Sequence, residues 1–337
     1  LALGAHGSGS LRLALVIAVL AGGVGAARFL RGLVRSTQAS EITAIVNTAD
    51  DTVLHGLNIS PDIDTVTYTL ANAIDPVRGW GLENETWTAM EALGRYVAVR
   101  PPLSGAAPNW FNLGDKDLAT HFYRTARLGE GATLDQVTSE IASAWDIGVR
   151  LVPMTNDRVR TIVTLAQDCS AGPAGTEISF QEYFVQHRHA VSISKVRFEG
   201  AESARPLGLE ILRDADAIII APSNPLVSIA PLRAMAGVDE ALIKRRNSVV
   251  AISPIVAGAA LKGPADRLMT ELGHDASVVG VARLYSPICS TLIIDAADEH
   301  LASAVEAEGM RCVVTNTIMS TPEISEQLAK TALECAS

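Results

Sequence analysis

The sequence predicts an α/β fold, a doubly wound and mostly parallel sheet interrupted by a helical insertion. Three observations carry that expectation. Short apolar runs rich in Val and Ile recur at 14–20, 42–46, 217–221, 249–252, 292–294 and 312–314. Runs without alternating polar residues suit strands buried on both faces, the condition of a parallel sheet. Most of these runs are separated by stretches with helical spacing, the alternation of a βαβ chain. The interval from about 76 to 147 differs: "NETWTAMEALGRY", "DKDLATHFYRTARL" and "TLDQVTSEIASAW" are helical patterns with no strand-like run between them. The expected organisation is therefore a tag or linker over 1–10, an α/β core from 11–75 and 148–337, and a helical insertion over 76–147.

The opening "LALGAHGSGS" is small and polar and is set aside as tag or linker sequence. "LRLALVIAVL" has the look of a secretory apolar segment. Its run of about ten apolar residues is too short to span a bilayer, and it enters a glycine turn without a cleavage site. A buried first strand is expected instead. "LAGGVGAARFLRGL" follows it. Gly22, Gly23 and Gly25 allow a tight turn and a close backbone approach, and the helix behind them offers unpaired N–H groups to an anion. Against the dinucleotide pattern G-x-G-x-x-G counted from Gly23, Arg28 occupies the place of the third glycine. A plain turn remains open here, as does a dinucleotide site with Asp50 or Asp51 on a ribose.

The second run ends in "IVNTADDTVLHGLNISPDIDT", where Asp50, Asp51, Asp62 and Asp64 have His55 as their only positive candidate. Asn47, Asp50 and Asp51 lie just past the strand, on the side where open α/β sheets bind ligands. Ser60 can cap the next helix, Pro61 suits its first turn, and Asp62 offsets its dipole. Asp64, two residues on, faces another way. Carboxylates gathered without basic partners repel one another, and a hard divalent cation relieves that repulsion. The acids are expected to hold Mg²⁺, and the ion a diphosphate; solvated loop acids are the alternative reading.

Further on, "NWFNLGDKDLATH" brings Asp115, Lys116, Asp117 and His121 to a helix start, behind Trp110 and Phe111, which can wall a planar ring or join the core. Residues 100–110 read as a loop, and 159–164 and 177–185 as added strands. "IIIAPSNPLVSIAPL" ends a strand in a second turn, where Ser223 and Asn224 face the same crevice. In "ISPIVAGAALKGPADRLM", Lys262 can reach a phosphate as a point charge.

The totals limit the function classes. A formal charge of −10 argues against a non-specific nucleic-acid binder. Cys169, Cys289, Cys312 and Cys335 form no C-x-x-C pair, so a structural zinc site is not expected and a reducing cytoplasm is. Small-molecule partners are expected, with neither nucleic acid nor membrane, and a homodimer as the assembly.

The stretches "GGVGAARFLRGL", "IVNTADDT", "SPDIDTVTYTL", "WFNLGDKDLATH", "APSNPLVSI" and "SPIVAGAALKGPADRLM" run in order over most of the chain. Together they resemble the CofD/FbiA family, the 2-phospholactate or phosphoenolpyruvate transferases of deazaflavin coenzyme F-420 biosynthesis. The resemblance implies a Rossmann-like core and a Mg²⁺-dependent transfer. The ribityl hydroxyl of the deazaflavin Fo attacks a guanosine diphospho-linked donor and GMP leaves. It implies metal ligation by Asp64, with Asp50, Asp62 and Asn47 nearby, and catalytic roles for Asp51 and Asp64. It implies deazaflavin contacts at Asp50, Asp51, Asp64, Asp115 and Lys116. The guanylate and phosphates would lie on Gly22, Gly23, Gly25, Arg28, Ser223, Asn224 and Lys262. Val53 and His55 depart from the family pattern, which often has an aromatic there. "GGVGAARF" and "DPVRGWGLENETW" are similar to actinobacterial-type members, which implies an enolpyruvyl donor. A nucleotide-sugar-binding regulator is the rival, disfavoured because "DDTVLHGL" and "APSNPLVS" replace its turns. A nicotinamide dehydrogenase is disfavoured by Arg28 and the surplus acids.

Overall fold

A computed structural model describes residues 15–101 and 104–336. The expected tag or linker over 1–10 and the first residue of the 14–20 run lie outside the described residues. The first run forms strand β1 (Ile17–Ala21) and the second forms β2 (Ile42–Val46), every residue of both buried. A small hairpin follows, β3 (Thr52–Leu54) and β4 (Leu57–Ile59). After a helical stretch come β5 (Arg150–Pro153), β6 (Arg160–Leu165), β7 (Glu177–Ser179) and β8 (Ile193–Glu199). The remaining strands are β9 (Ala217–Ile220), β10 (Val249–Ile252), the hairpin β11 (Ile255–Val256) and β12 (Ala259–Ala260), β13 (Thr291–Asp295) and β14 (Arg311–Thr315).

Seven of these strands make one sheet in the order β14-β13-β10-β9-β1-β2-β5, with every pairing parallel. Side chains alternate across it, as the period of two requires. Ala18, Leu20, Ile218 and Ile220 pack on one face with Leu232, Leu242 and Tyr285. Ile17, Val19, Ile219 and Val250 pack on the other with Phe29, Leu30 and Leu328. The chain leaves β1 for β2 on one side and returns to β9 on the other. Such a reversal of winding opens a crevice at the carboxyl ends of the strands.

Between β1 and β5 lie helices α1 (Gly23–Leu33), α2 (Pro61–Leu70), α3 (Thr88–Val97), α4 (Asp117–Gly129) and α5 (Leu134–Ala144). The last three are the helical patterns read between 76 and 147. Separate from the main sheet, β6, β7 and β8 form an antiparallel layer in the order β7-β6-β8. Two of its features differ from expectation. The run 177–185 is a strand only to Ser179, and Glu182–Gln186 winds into a helical turn. Strand β8 was not anticipated, although "ISKVRFE" alternates as a half-wet strand does. Edge strand β5 was also missed, because exposed Arg150 interrupts its apolar run.

Helix α1 lies against the C-terminal helix Pro322–Ala336 at Gly32, where a β-carbon would come 2.2 Å from the Ser325 carbonyl oxygen. Gly129, the last residue of α4, has nothing within 4 Å of the corresponding position. Gly32→Ala is expected to cost about 1–3 kcal/mol through overpacking, whereas Gly129→Ala should be neutral or stabilising by up to about 1 kcal/mol. Urea unfolding of the two variants checks the contrast, and equal effects would refute the close approach.

Candidate active site

The crevice is a cavity of about 750 Å³. Its floor is the glycine turn after β1 and the turn after β9. The Gly22 amide donates to Ser223 Oγ at 3.2 Å, which ties the two turns together. Gly25 has no room for a side chain: a β-carbon there would lie 2.0 Å from the Pro222 carbonyl oxygen. Gly23 has φ +68°, the left-handed region that favours glycine. The turn therefore brings the first amides of α1 to the cavity wall, where a helix has no carbonyl to pair them. Asn224 Oδ1 accepts from the Leu226 amide and caps the next turn. Gly22, Gly23, Gly25, Arg28, Ser223, Asn224 and Lys262 all line the cavity. Arg28 has no ion-pair partner among the described residues, and its charge, after burial, helps hold the Lys262 ammonium below the usual lysine range.

The four acids divide into three environments. Asn47, fully buried, donates from Nδ2 to Asp62 Oδ2 at 3.0 Å and accepts the Ala49 amide on Oδ1. It fastens the end of β2 to the start of α2. Asp50 and Asp62 both line the cavity. Burial, then the negative charge of Asp62, raises Asp50 well above the carboxylate range. Burial raises Asp62 to about 6, although Asn47 and the Gly23 amide favour its charged form. No cation pairs with either acid among the described residues, and Asp50 Oδ1 is buried without a hydrogen-bond partner. Asp51 does not line the cavity. Ser60 sits at the N-cap position of α2 but donates its hydroxyl to Asp51 Oδ2 at 2.6 Å rather than capping the helix.

Asp64 has the partner that the sequence reading lacked. Arg124 of α4, 1% exposed, grips both its oxygens, with Nη1 3.1 Å from Oδ2 and Nη2 on Oδ1. Burial opposes the charge, but the attraction and hydrogen bonds of Asp64, together with the nearby Asp51 and Tyr68, raise the guanidinium further above its usual range. His121 Nδ1 lies 3.3 Å from Arg124 Nη1, and His121 Nε2 lies 3.2 Å from Asp117 Oδ2. Tyr68 donates its hydroxyl to Asp117 Oδ1. Despite burial, these neighbours hold Asp117 below the usual carboxylate range. Asp64, Asp117 and His121 thus form a compact group with the donor atoms to hold a metal ion. Arg124 already supplies a positive charge there. The signal that could have found it is the spacing of Asp117, His121 and Arg124, which puts polar residues on the packed face of α4.

Two predicted contacts stand apart from the cavity lining. Asp115 accepts from the Thr88 and Ala89 amides and caps α3, and with Thr86 these bonds lower it to about 2. Lys116 Nζ donates to the Glu83 carbonyl at 3.0 Å. His55 lies in the β3–β4 turn at φ +53° and also does not line the cavity. Of the expected ring wall, Phe111 lines the cavity and Trp110 packs edge-on against it at 5.9 Å. The reading missed the other aromatic residues there. Trp80 comes from the insertion, and Phe180 and Phe184, stacked at 5.6 Å, come from the antiparallel layer.

Comparison with known proteins gives a consistent result. A family model described as 2-phospho-L-lactate transferase CofD matches residues 17–332. A phosphoenolpyruvate transferase of Kitasatospora aureofaciens is 41% identical over 325 residues, covering 95% of this chain and 97% of the relative. One of Mycobacterium bovis is 37% identical over 335 residues, covering 95% and 98%. Among solved structures, a UPF0052 family member from Bacillus halodurans superposes with a TM-score of 0.57 at 16% identity, covering 95% of this chain and 99% of that one. That likeness shows the fold alone.

Two expectations follow from the electrostatics. Because Asp62 titrates at about 6 in the folded chain against 3.8 for a free carboxyl, the folded state binds more protons between those values. Stability of the cation-free protein should therefore fall as pH rises through that window, with Asp50 extending the fall upward. A divalent cation should raise the melting temperature more at about pH 7 than at about pH 5, where protons compete for the ligands. Scanning calorimetry of the wild type and Asp62→Asn tests this, and an unchanged slope in the variant would refute it. Arg124→Met leaves Asp64 buried and unpaired, and should cost about 3–5 kcal/mol in urea unfolding. Adding Asp64→Leu should recover part of that loss; a single variant as stable as wild type would show that the pair does not hold the insertion in place.

Proposed function

The chain belongs to the 2-phospho-L-lactate transferase CofD family, and from that premise we propose that it is a transferase of coenzyme F-420 biosynthesis. Its donor is a guanosine diphospho-linked enolpyruvate, the choice favoured by relatives named phosphoenolpyruvate transferase. Its acceptor is the ribityl hydroxyl of Fo. The hydroxyl oxygen bonds to the phosphorus that bears the enolpyruvyl group, the bond from that phosphorus to the GMP oxygen breaks, and GMP departs with the electron pair. The observation that carries this reading is the meeting, in one cavity, of two anion-ready turns with an acid pair that no cation meets among the described residues.

Each group has a role in that transfer. The amides of the first α1 turn, with Ser223, would seat the diphosphate, and Arg28 and Lys262 would offset its charge. Asp50 and Asp62 would hold Mg²⁺, with Asn47 orienting Asp62. Bound there, the ion supplies neutralisation of the diphosphate charge. Asp64 lines the cavity with its carboxylate fixed by Arg124, and each oxygen keeps a lone pair for the incoming hydroxyl and its proton. Of the two acids expected to be catalytic, Asp64 keeps that role here and Asp51 does not, since Asp51 is tied to Ser60 outside the lining; the metal ligation expected of Asp64 is given to Asp50 and Asp62 instead, since Arg124 already holds Asp64. Positioning and charge stabilisation are what phosphoryl transfer chiefly requires.

The test is to incubate the protein with Fo, Mg²⁺ and the guanylated enolpyruvyl donor, and to follow GMP and the phosphodiester product by chromatography. Equal amounts of both should appear, with neither formed after chelation. Asp64→Asn should lower kcat by about a hundredfold or more. GMP formed without product, or full turnover in chelator, would defeat the assignment.

A further inference from the structure

Trp80 sits in a strap, residues 74–82, whose ends are joined by a bridge between Ile74 and Leu82. The turn is bracketed by Gly79 at φ +75° and Gly81 at φ +67°, so the chain reverses on both sides of the indole. Trp80 is 43% exposed and lines the cavity. A large apolar side chain left that open on an active-site wall needs a reason.

Its other contacts hold it still. The Arg78 guanidinium lies 5.4 Å from the ring centres of both Trp80 and Trp87, and the two indoles are 6.0 Å apart at 54°. Arg78 Nη1 pairs with Asp75 Oδ2 at 3.0 Å, and Nη2 donates to the Leu82 carbonyl at 2.9 Å, so the cation also pins the strap to its own ends. Lys262 Nζ donates to the Arg78 carbonyl at 3.0 Å and links the strap to the loop across the mouth. A guanidinium over an aromatic face is a stable arrangement that fixes ring orientation.

We propose that Trp80 is a stacking platform for a planar heteroaromatic ring of a substrate, and that Arg78 is the positioning residue that holds it. This rests on the transferase reading, in which two such rings, a deazaflavin and a guanine, must be accommodated in one cavity. Stacking on an aromatic side chain tolerates either ring because both present a π-face. The neighbouring cations Arg28 and Lys262 suit the anionic tail of the donor.

The test uses the full chain and separates the two rings. Fo alone and GMP alone are titrated against wild type, Trp80→Ala, Trp80→Phe and Arg78→Met, following tryptophan emission and, independently, heat of binding. Wild type should show quenching by one ring. Trp80→Ala should bind that ring about tenfold to a hundredfold more weakly; the other ring should be unaffected, and Trp80→Phe should restore most of the affinity. Arg78→Met should raise KM for the same substrate with a smaller change in kcat, and Arg78→Lys should rescue it in part. Thermal melts identify any variant that fails to fold, and Trp80→Phe then decides by its own affinity. If Trp80→Ala binds both rings as wild type does, the platform is refuted even where wild type releases GMP. If wild type releases no GMP, the transferase reading fails, while ring binding still reports on Trp80.

Discussion

Negative charge buried at the rim of a sheet must be neutralised, and this chain does so unequally. Asp64 is neutralised by Arg124, which reaches it from the insertion and leaves the surface entirely. Asp50 and Asp62 have no such partner among the described residues, and their carboxyls are driven toward the protonated form. The contrast organises the cavity. A carboxylate held by a guanidinium keeps its charge and its direction. A pair without one is strained at neutral pH until a cation or protons relieve it. The first environment favours orienting a substrate, and the second favours binding a cation.

The same ion pair ties α4 into the site. α4 presents Asp117, His121 and Arg124 on the face turned to α2, where Tyr68 and Asp64 meet them. These polar contacts are largely buried. Removing one member leaves another unsatisfied in a low-dielectric setting, which costs more than the contact is worth in water. The neighbouring loop is built to the same end. Glu85 accepts the Lys116 and Asp117 amides at the start of α4, and Gly114 leaves it room, since a β-carbon there would meet the Glu85 carboxyl carbon at 2.1 Å. Within "NLGDKD", the Lys116 and Asp117 amides anchor the helix start to Glu85, and of the three charged side chains only Asp117 faces the cavity. Asp115 and Lys116, prominent as charges in the sequence, turn outward to cap α3 and bind a carbonyl.

What was legible in the sequence was what depends on local pattern. The runs at 42–46 and 249–252 could be read as buried strands because no charged residue interrupts them and Ile, Val and Ala dominate, and the three helices between 76 and 147 because their spacing is periodic. The glycine turn was legible because Gly25 and the Pro222 carbonyl need each other's space, and only glycine meets that need. Contacts between distant segments were not legible. The spacing in "DLATHFYRTARL" marks a polar packed face, but it does not say that Arg124 reaches an aspartate 60 residues earlier. The turn of "TEISFQEYF" into a helical end was hidden because Phe180 and Phe184 have strong strand propensity, and tertiary placement at the cavity overrides it. Trp80 was hidden for a related reason: an indole in a glycine-rich loop looks like surface until its neighbours are known.

These placements bear on how the two ends of the cavity differ. One end gathers Arg28, Lys262 and the strap of Arg78, cations with no carboxylate aimed at them from within the lining. The middle gathers Asp50, Asp62 and Asp64. An anionic ligand entering such a field is drawn to the first end and repelled by the second unless a cation intervenes. An anionic ligand and a divalent ion would therefore bind with mutual assistance, each lowering the electrostatic cost of the other. Asp62 and Lys262 have no ion pair with each other among the described residues, because Asn47 holds Asp62 at the start of α2 while the strap holds Lys262 through the Arg78 carbonyl. Each of those contacts holds a charged group with a neutral partner, which keeps both charges available to a ligand.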